Sequence, residues 1–141
     1  MISNVQSILK KILIVTEAGK KIGFGHYIRC SALRDQLESI GIVTVMYVFA
    51  KDYNLEDKKV IKENWIQNLE VLNEYKSCDL VLIDSYLSDF NVYQKIKNTF
   101  NVVVAIDDYN RISYPVNCII NPNLSYKGLE YRNQTASAIG G

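Results

Sequence analysis

Three short apolar runs stand out from an otherwise mixed sequence: Lys11–Thr16 (KILIVT), Asp79–Asp84 (DLVLID) and Val102–Asp107 (VVVAID). A fourth, Val43–Phe49 (VTVMYVF), and a shorter fifth, Cys118–Asn121 (CIIN), extend the set. Their Val and Ile residues run together without alternating with polar ones, the pattern of strands covered on both faces. Between the runs the apolar spacing becomes that of helices. Over Gly25–Ser39 it predicts one face made of Ile28, Ala32, Leu33, Leu37 and Ile40, with Gly41 as the C-terminal stop. Over Phe90–Phe100 the face is Phe90, Tyr93, Ile96, Lys97 and Phe100. From Asp52 to Ser77, Val60, Ile61, Trp65, Leu69 and Leu72 predict a helix with one interruption.

Strand and helix alternating over short links predict an α/β fold, a Rossmann-like open parallel sheet with helices on both faces. The longest apolar stretches, Ile12–Val15 and Leu80–Ile83, fall far below the ~20 residues that span a bilayer. Residues 1–10 read as a polar extension with no apolar core followed by a cleavage site. No membrane span is therefore expected, and a cytoplasmic location is. One domain is expected over residues 11–141. Residues 122–141 end in Gly140-Gly141 with no helical pattern to close them, which reads as a fragment or as one half of a two-domain protein.

Composition changes this picture little. Apolar residues at 48% and charged residues at 22% are ordinary for a globular domain. The net charge is +1, without a basic run, so nothing points to nucleic acid as a partner. Cys30, Cys78 and Cys118 are odd in number and widely spaced, which predicts reduced thiols rather than a disulfide framework or a zinc site.

Open parallel sheets bind ligands beyond the carboxyl ends of their strands. That directs the search to Glu17–His26, Ser85–Ser88 and Asp108–Pro115. The first segment carries Gly19, Gly23 and Gly25, then His26 at the start of the helix. Glycines there permit a tight turn and close approach of a ligand to the backbone, and the helix N-terminus favours a phosphate or diphosphate. The loop is neither common nucleotide motif: Ile28 stands where G-x-G-x-x-G needs its third glycine, and no G-K-[ST] follows.

His26 is the one histidine of the chain. An imidazole with a pKa near ~6.5 takes or gives a proton at neutral pH. The positive end of the helix is expected to lower that pKa and keep the ring neutral, as a base requires. The competing reading is a histidine that caps the helix or packs against the next strand. Arg29, three residues on and on nearly the same face, can hold a phosphate or pair with Asp84 or Asp107. Asp84, Asp107 and Asp108 all end strands. They can form a carboxylate cluster in which one orients His26, or they can cap the turns that follow. The three aspartates indicate a metal site only weakly, and no metal ion or cofactor is expected.

The run Ile22 to Leu33, I-G-F-G-H-Y-I-R-C-S-A-L, resembles the I-G-x-G-H-x-x-R-C-x-x-L loop and helix of the UDP-sugar hydrolases of pseudaminic acid biosynthesis and of the spore-coat polysaccharide biosynthesis proteins. Further pieces follow in the same order: Asp84-Ser85-Tyr86 is similar to that family's D-x-Y, Ile106-Asp107-Asp108 to its I-D-D, and Ile120-Asn121-Pro122-Asn123 to its I-N-P-N. Ala138-Ile139-Gly140-Gly141 resembles the start of the stretch leading to the family's second domain.

The resemblance implies the N-terminal half of a glycosyltransferase-B architecture, with the C-terminal nucleotide-binding domain absent from these 141 residues. It implies that His26 is the base that activates water, that Tyr86 lies by the sugar, and that Gly23, Phe24 and Gly25 lie near diphosphate and sugar. The expected reaction is hydrolysis of a UDP-linked deoxy-amino sugar of the 2,4-diacetamido-2,4,6-trideoxy-hexose type, releasing UDP in surface polysaccharide or nonulosonic acid biosynthesis. The alternatives are a glycosyltransferase of the same architecture and a non-catalytic half of a split two-chain enzyme. The span from Phe49 to Asp79 is shorter than the family's. Joined to a second domain or a separate subunit the chain is expected to act; alone it is expected to be inactive.

Overall fold

A computed structural model describes residues 9–123, 131 and 136–140. Each apolar run is a strand. In chain order the elements are β1 (Lys11–Ala18), α1 (Gly25–Ser39), β2 (Val43–Ala50), β3 (Ile61–Lys62), β4 (Leu80–Asp84), α2 (Phe90–Thr99), β5 (Val103–Ile106), β6 (Cys118–Asn121) and β7 (Ser137–Gly140). All seven strands pair in parallel as one sheet in the order β3-β2-β1-β4-β5-β6-β7. The protein is an α/β domain with a Rossmann-like open sheet.

Why the runs lack alternation is visible in the two cores. Leu13 and Val15 of β1 face one way, packing with Val81, Ile83, Val103, Ala105 and, from α2, Tyr93 and Ile96. Ile12 and Ile14 face the other way, packing with Met46, Val48, Leu82, Val104 and, from α1, Cys30. With helix on both sides, neither face of the central strands tolerates polar residues. Among the described residues, no helix is long and apolar enough to cross a membrane.

Two expectations need correction, and one strand was not expected. Ile28 and Ile40, assigned to the packed face of α1, are 63% and 71% exposed, and Ala32 is exposed as well. The inward face carries His26, Cys30 and Arg34, with Leu33 and Leu37 half-buried beside it. Polar residues face inward because they meet partners there: Arg34 reaches Asp57 at 3.2 Å, and Tyr27 donates to the same carboxylate at 2.7 Å. A face chosen by hydropathy alone is therefore right at Leu33 and Leu37 and wrong at Ile28, Ala32 and Ile40.

The stretch 52–77 is not an interrupted α-helix. It holds the two-residue β3 and a 3-10 helix at Leu69–Tyr75. Trp65 is fully buried between them, its indole donating to the Thr16 carbonyl at 2.7 Å. The helix-like spacing of apolar residues arises from a loop folded back onto the sheet. Finally, residues 137–140 form β7, whose pairing with β6 runs from Cys118 opposite Ser137 to Asn121 opposite Gly140. Residues 1–8 of the predicted extension, 124–130 and 132–135 of the tail, and Gly141 lie outside the described residues.

The strand order also locates the site. From β1 the chain moves outward through β2 to β3, then returns to place β4 on the other side of β1. At that reversal the loops leaving β1 and β4 turn to opposite faces, and a crevice opens between their carboxyl ends.

Candidate active site

The loop after β1 turns back on itself. Gly19 and Gly23 exchange backbone hydrogen bonds, Gly19 N to Gly23 O at 3.1 Å and Gly23 N to Gly19 O at 2.7 Å. Gly23 sits at φ +79°, in the left-handed region where a Cβ is strained. The turn delivers the chain to the first residues of α1. No side chain caps that helix, in contrast with α2, where Asp89 accepts from the Val92 amide at 3.0 Å. The uncapped end of α1 opens at the crevice.

His26 occupies the first turn of α1 and points inward, 5% exposed. Its Nδ1 lies 2.7 Å from Asp84 Oδ1, and Asp84, at the end of β4, is completely buried. Asp84 is placed by strand register, opposite Thr16 of β1, whose hydroxyl donates to the Asp84 carbonyl at 2.9 Å. An ionised carboxylate can only accept, so Nδ1 carries the proton and the lone pair is left on Nε2. No hydrogen bond among the described residues uses Nε2.

Arg29, one turn along α1, forks twice. Its Nε and Nη2 reach Asp84 Oδ2 and Oδ1, both at 2.8 Å, while Nη1 and Nη2 reach Asp108 Oδ1 and Oδ2 at 2.9 and 3.1 Å. Both guanidinium edges are thus taken, and the pairing alternative for Arg29 holds rather than a free phosphate clamp. Nη2 also lies 3.4 Å from His26 Nδ1, a contact between two donors once Nδ1 holds its proton. Tyr86 closes the site. Its ring meets the His26 ring edge to face at 4.3 Å, and its hydroxyl donates to Asp108 Oδ2 at 2.9 Å.

These groups surround a cleft of about 260 Å³ lined by Ile22, Gly25, His26, Arg29, Tyr86 and Asp108. The electrostatics follow from the count of charges, with one guanidinium between two carboxylates. Burial pulls the His26 pKa down, but the hydrogen bond and charge of Asp84, with the charge of Glu17, outweigh both burial and Arg29. The result lies above the ordinary 6.5, opposite to the lowering that the helix end alone predicts. Burial opposes charge on Asp108 too, yet Arg29 and Tyr86 hold it below its ordinary 3.8. Burial and Asp108 push the Tyr86 phenol well up, so it remains a neutral donor.

The expected residues separate into three groups. Gly25, His26, Arg29, Tyr86 and Asp108 line the cleft, with Asp84 directly behind His26. Gly23 shapes the turn, and Phe24 faces away, its ring edge-on to Tyr53 at 4.9 Å. Asp107 is not brought to the cleft. It accepts from the Arg111 amide at 3.3 Å and from the hydroxyls of Tyr114 and Tyr131, both at 2.6 Å, so it ties the loop after β5 as a turn-capping carboxylate. Asn121 holds Tyr131 at 2.9 Å, and Asn123 donates to the Asp108 carbonyl at 3.0 Å.

One residue of the site escapes the sequence reading. Glu17, beyond the expected end of β1 at Thr16, is a fully buried acid that contributes charge at His26. The available signal was a carboxylate directly following an unbroken apolar run. Among the described residues no group of three or more His, Cys, Asp or Glu is arranged to hold a metal ion. The cysteines are free thiols, and burial raises Cys30 so that it stays protonated beside Asp84. Comparison of the chain with protein-family models and with curated proteins gives no match.

Proposed function

We propose that the chain is the acid–base half of a nucleotide-sugar hydrolase in which His26 Nε2 is the general base. The observation that carries the reading is the His26–Asp84 pair: a buried carboxylate fixes Nδ1–H and leaves Nε2, beside an open cleft, without a hydrogen-bond partner among the described residues. The ordered resemblance of Ile22–Leu33, Asp84–Tyr86 and Ile106–Asp108 to the UDP-sugar hydrolases supplies the substrate class, a UDP-linked deoxy-amino sugar.

Nε2 accepts a proton from water as the water oxygen attacks the anomeric carbon. The bond from that carbon to the diphosphate oxygen breaks, its electron pair leaves with UDP, and the sugar emerges with inverted configuration. The imidazolium, stabilised by Asp84, then returns its proton to solvent. Tyr86 shields one side of the imidazole and presents its edge to the sugar.

A cleft of about 260 Å³ holds water and part of a sugar ring, less than the ~300–1,000 Å³ that enclose a whole small ligand. The lining cation is committed to two carboxylates. The uridine and diphosphate are therefore held by a second, nucleotide-binding domain or a separate subunit closing over the uncapped end of α1.

The test is hydrolysis in water enriched in ¹⁸O by the enzyme assembled with its nucleotide-binding half. Label on the anomeric oxygen of the inverted sugar, with release of UDP, is expected. UDP release with the label on its β-phosphate instead overturns attack at the anomeric carbon, and transfer of the sugar to an added hydroxyl acceptor identifies a transferase built on the same base.

A further inference from the structure

Glu17 is fully buried as the penultimate residue of β1, with a carboxylate that reaches neither solvent nor any cation among the described residues. Burying an ionised acid is costly unless hydrogen bonds replace its water. Here they do. Oε1 accepts from the Tyr86 amide at 2.6 Å and the Leu87 amide at 3.2 Å, and Oε2 accepts from the Ser85 hydroxyl at 2.6 Å. Three of its partners thus come from consecutive residues of the loop after β4.

The same loop is gripped on its carbonyl side. Arg111 Nη2 donates to the Ser85 carbonyl at 3.1 Å and the Ser88 carbonyl at 2.7 Å. Ser88 closes the turn internally, its amide donating to Ser85 Oγ at 3.0 Å. A carboxylate collects the loop's donors and a guanidinium collects its acceptors, so residues 85–88 are held from both sides. Tyr86 projects from the middle of that clamp onto His26.

We infer that Glu17 is a positioning residue for the His26 site: it holds the loop after β4 so that the Tyr86 ring seats the imidazole in line with Asp84. Nothing else in the site reaches the Tyr86 backbone in this way among the described contacts. A second consequence is electrostatic. The groups facing His26 are Asp84 from β4, Arg29 from α1, Glu17 from β1, and Tyr86 and Asp108 from the loops after β4 and β5. Glu17 follows Thr16, the residue opposite Asp84 in the sheet, and holds the backbone of Tyr86, whose ring meets His26. Its buried charge therefore lies behind the imidazole and favours the protonated form without touching it.

The inference rests on the proposed hydrolase only for its kinetic arm. Because the chain has one histidine, NMR of His26 reads the site without substrate. Glu17→Gln keeps the length of the side chain and an oxygen for the Tyr86 and Leu87 amides but removes the charge. The expected result is a His26 titration displaced to lower pH, with the nuclear Overhauser contact between the His26 and Tyr86 rings retained. A titration unchanged from wild type in the folded variant overturns the electrostatic role.

Glu17→Asp keeps the charge but withdraws the carboxylate by one methylene. Loss of the His26–Tyr86 contact is expected, with kcat for UDP release down by about 10²-fold and KM little changed. Persistence of the ring contact overturns the positioning role, and this variant also decides the matter where Glu17→Gln does not fold. If the NMR results hold while wild type releases no UDP, the hydrolase reading fails and the role of Glu17 stands.

Discussion

The His26–Asp84 pair makes a definite prediction about pH. Burial, which lowers the His26 pKa, is outweighed by Asp84 and Glu17, so kcat/KM for UDP release should rise through a limb above pH 6.5 as the ring loses its proton. Asp84→Asn removes the charge and lets burial dominate. The limb should then move to lower pH, and kcat should fall by about 10²–10⁴-fold as Nδ1 loses the acceptor that fixes the tautomer. A pH–rate profile of both proteins checks this, and an unshifted limb in the variant contradicts it. At this scale strand ends and a glycine turn marked His26, Asp84, Asp107 and Asp108 in the sequence, while Tyr86 entered only through the resemblance to the D-x-Y motif. It could not separate Asp84 from Asp107, since both end apolar strands. Their roles are decided by neighbours distant in sequence: His26 and Arg29 for one, Tyr114 and Tyr131 for the other.

The turn before α1 and the loop before β4 carry the predictions for elements. A Cβ on Gly19 meets Asp52 Oδ1 at 2.6 Å, and that oxygen already accepts from the Lys20 amide at 2.7 Å. Gly19→Ala should therefore loosen the 19–23 turn. Gly23→Ala should cost about 1–2 kcal/mol because its φ of +79° is unfavourable for a side chain. Urea denaturation measures both, and stability equal to wild type for Gly23→Ala contradicts the turn geometry. Trp65→Phe leaves the Thr16 carbonyl without its donor and should destabilise by about 1–3 kcal/mol. The strands β1, β2, β4, β5 and β6 were legible because each is written as an unbroken apolar run. β3 and β7 were not. Two residues are too few to show a pattern, and β7 is an edge strand in which Ser137, Ala138 and Ile139 are all exposed. The segment around Trp65 misled because apolar residues in a folded-back loop can fall at helical spacing by chance.

For the whole molecule, the site's ionisation is linked to stability. The folded pKa of His26 lies above 6.5, so its stabilising contribution is complete below pH 6.5 and is lost as pH rises through the folded value. Asp108 runs the other way. Its folded pKa lies below 3.8, so its contribution is present above that pH and is lost as pH falls through the folded value. The urea midpoint of wild type should thus decline as pH is raised above 6.5, more than that of His26→Asn. Parallel declines contradict the linkage. The topology itself explains why acid–base chemistry concentrates here: β1 and β4, adjacent in the sheet and 68 residues apart at the Thr16–Asp84 contact, bring Glu17 and Asp84 behind one helix start.

The proton acceptor is the point on which all of this turns, and one comparison reaches it directly: the initial rate of UDP release from a UDP-linked deoxy-amino sugar by wild type and by His26→Ala, each joined to the nucleotide-binding domain that the proposed function requires. The expected result is a loss of about 10²–10⁴-fold in kcat for His26→Ala. A rate near that of wild type contradicts His26 as the base.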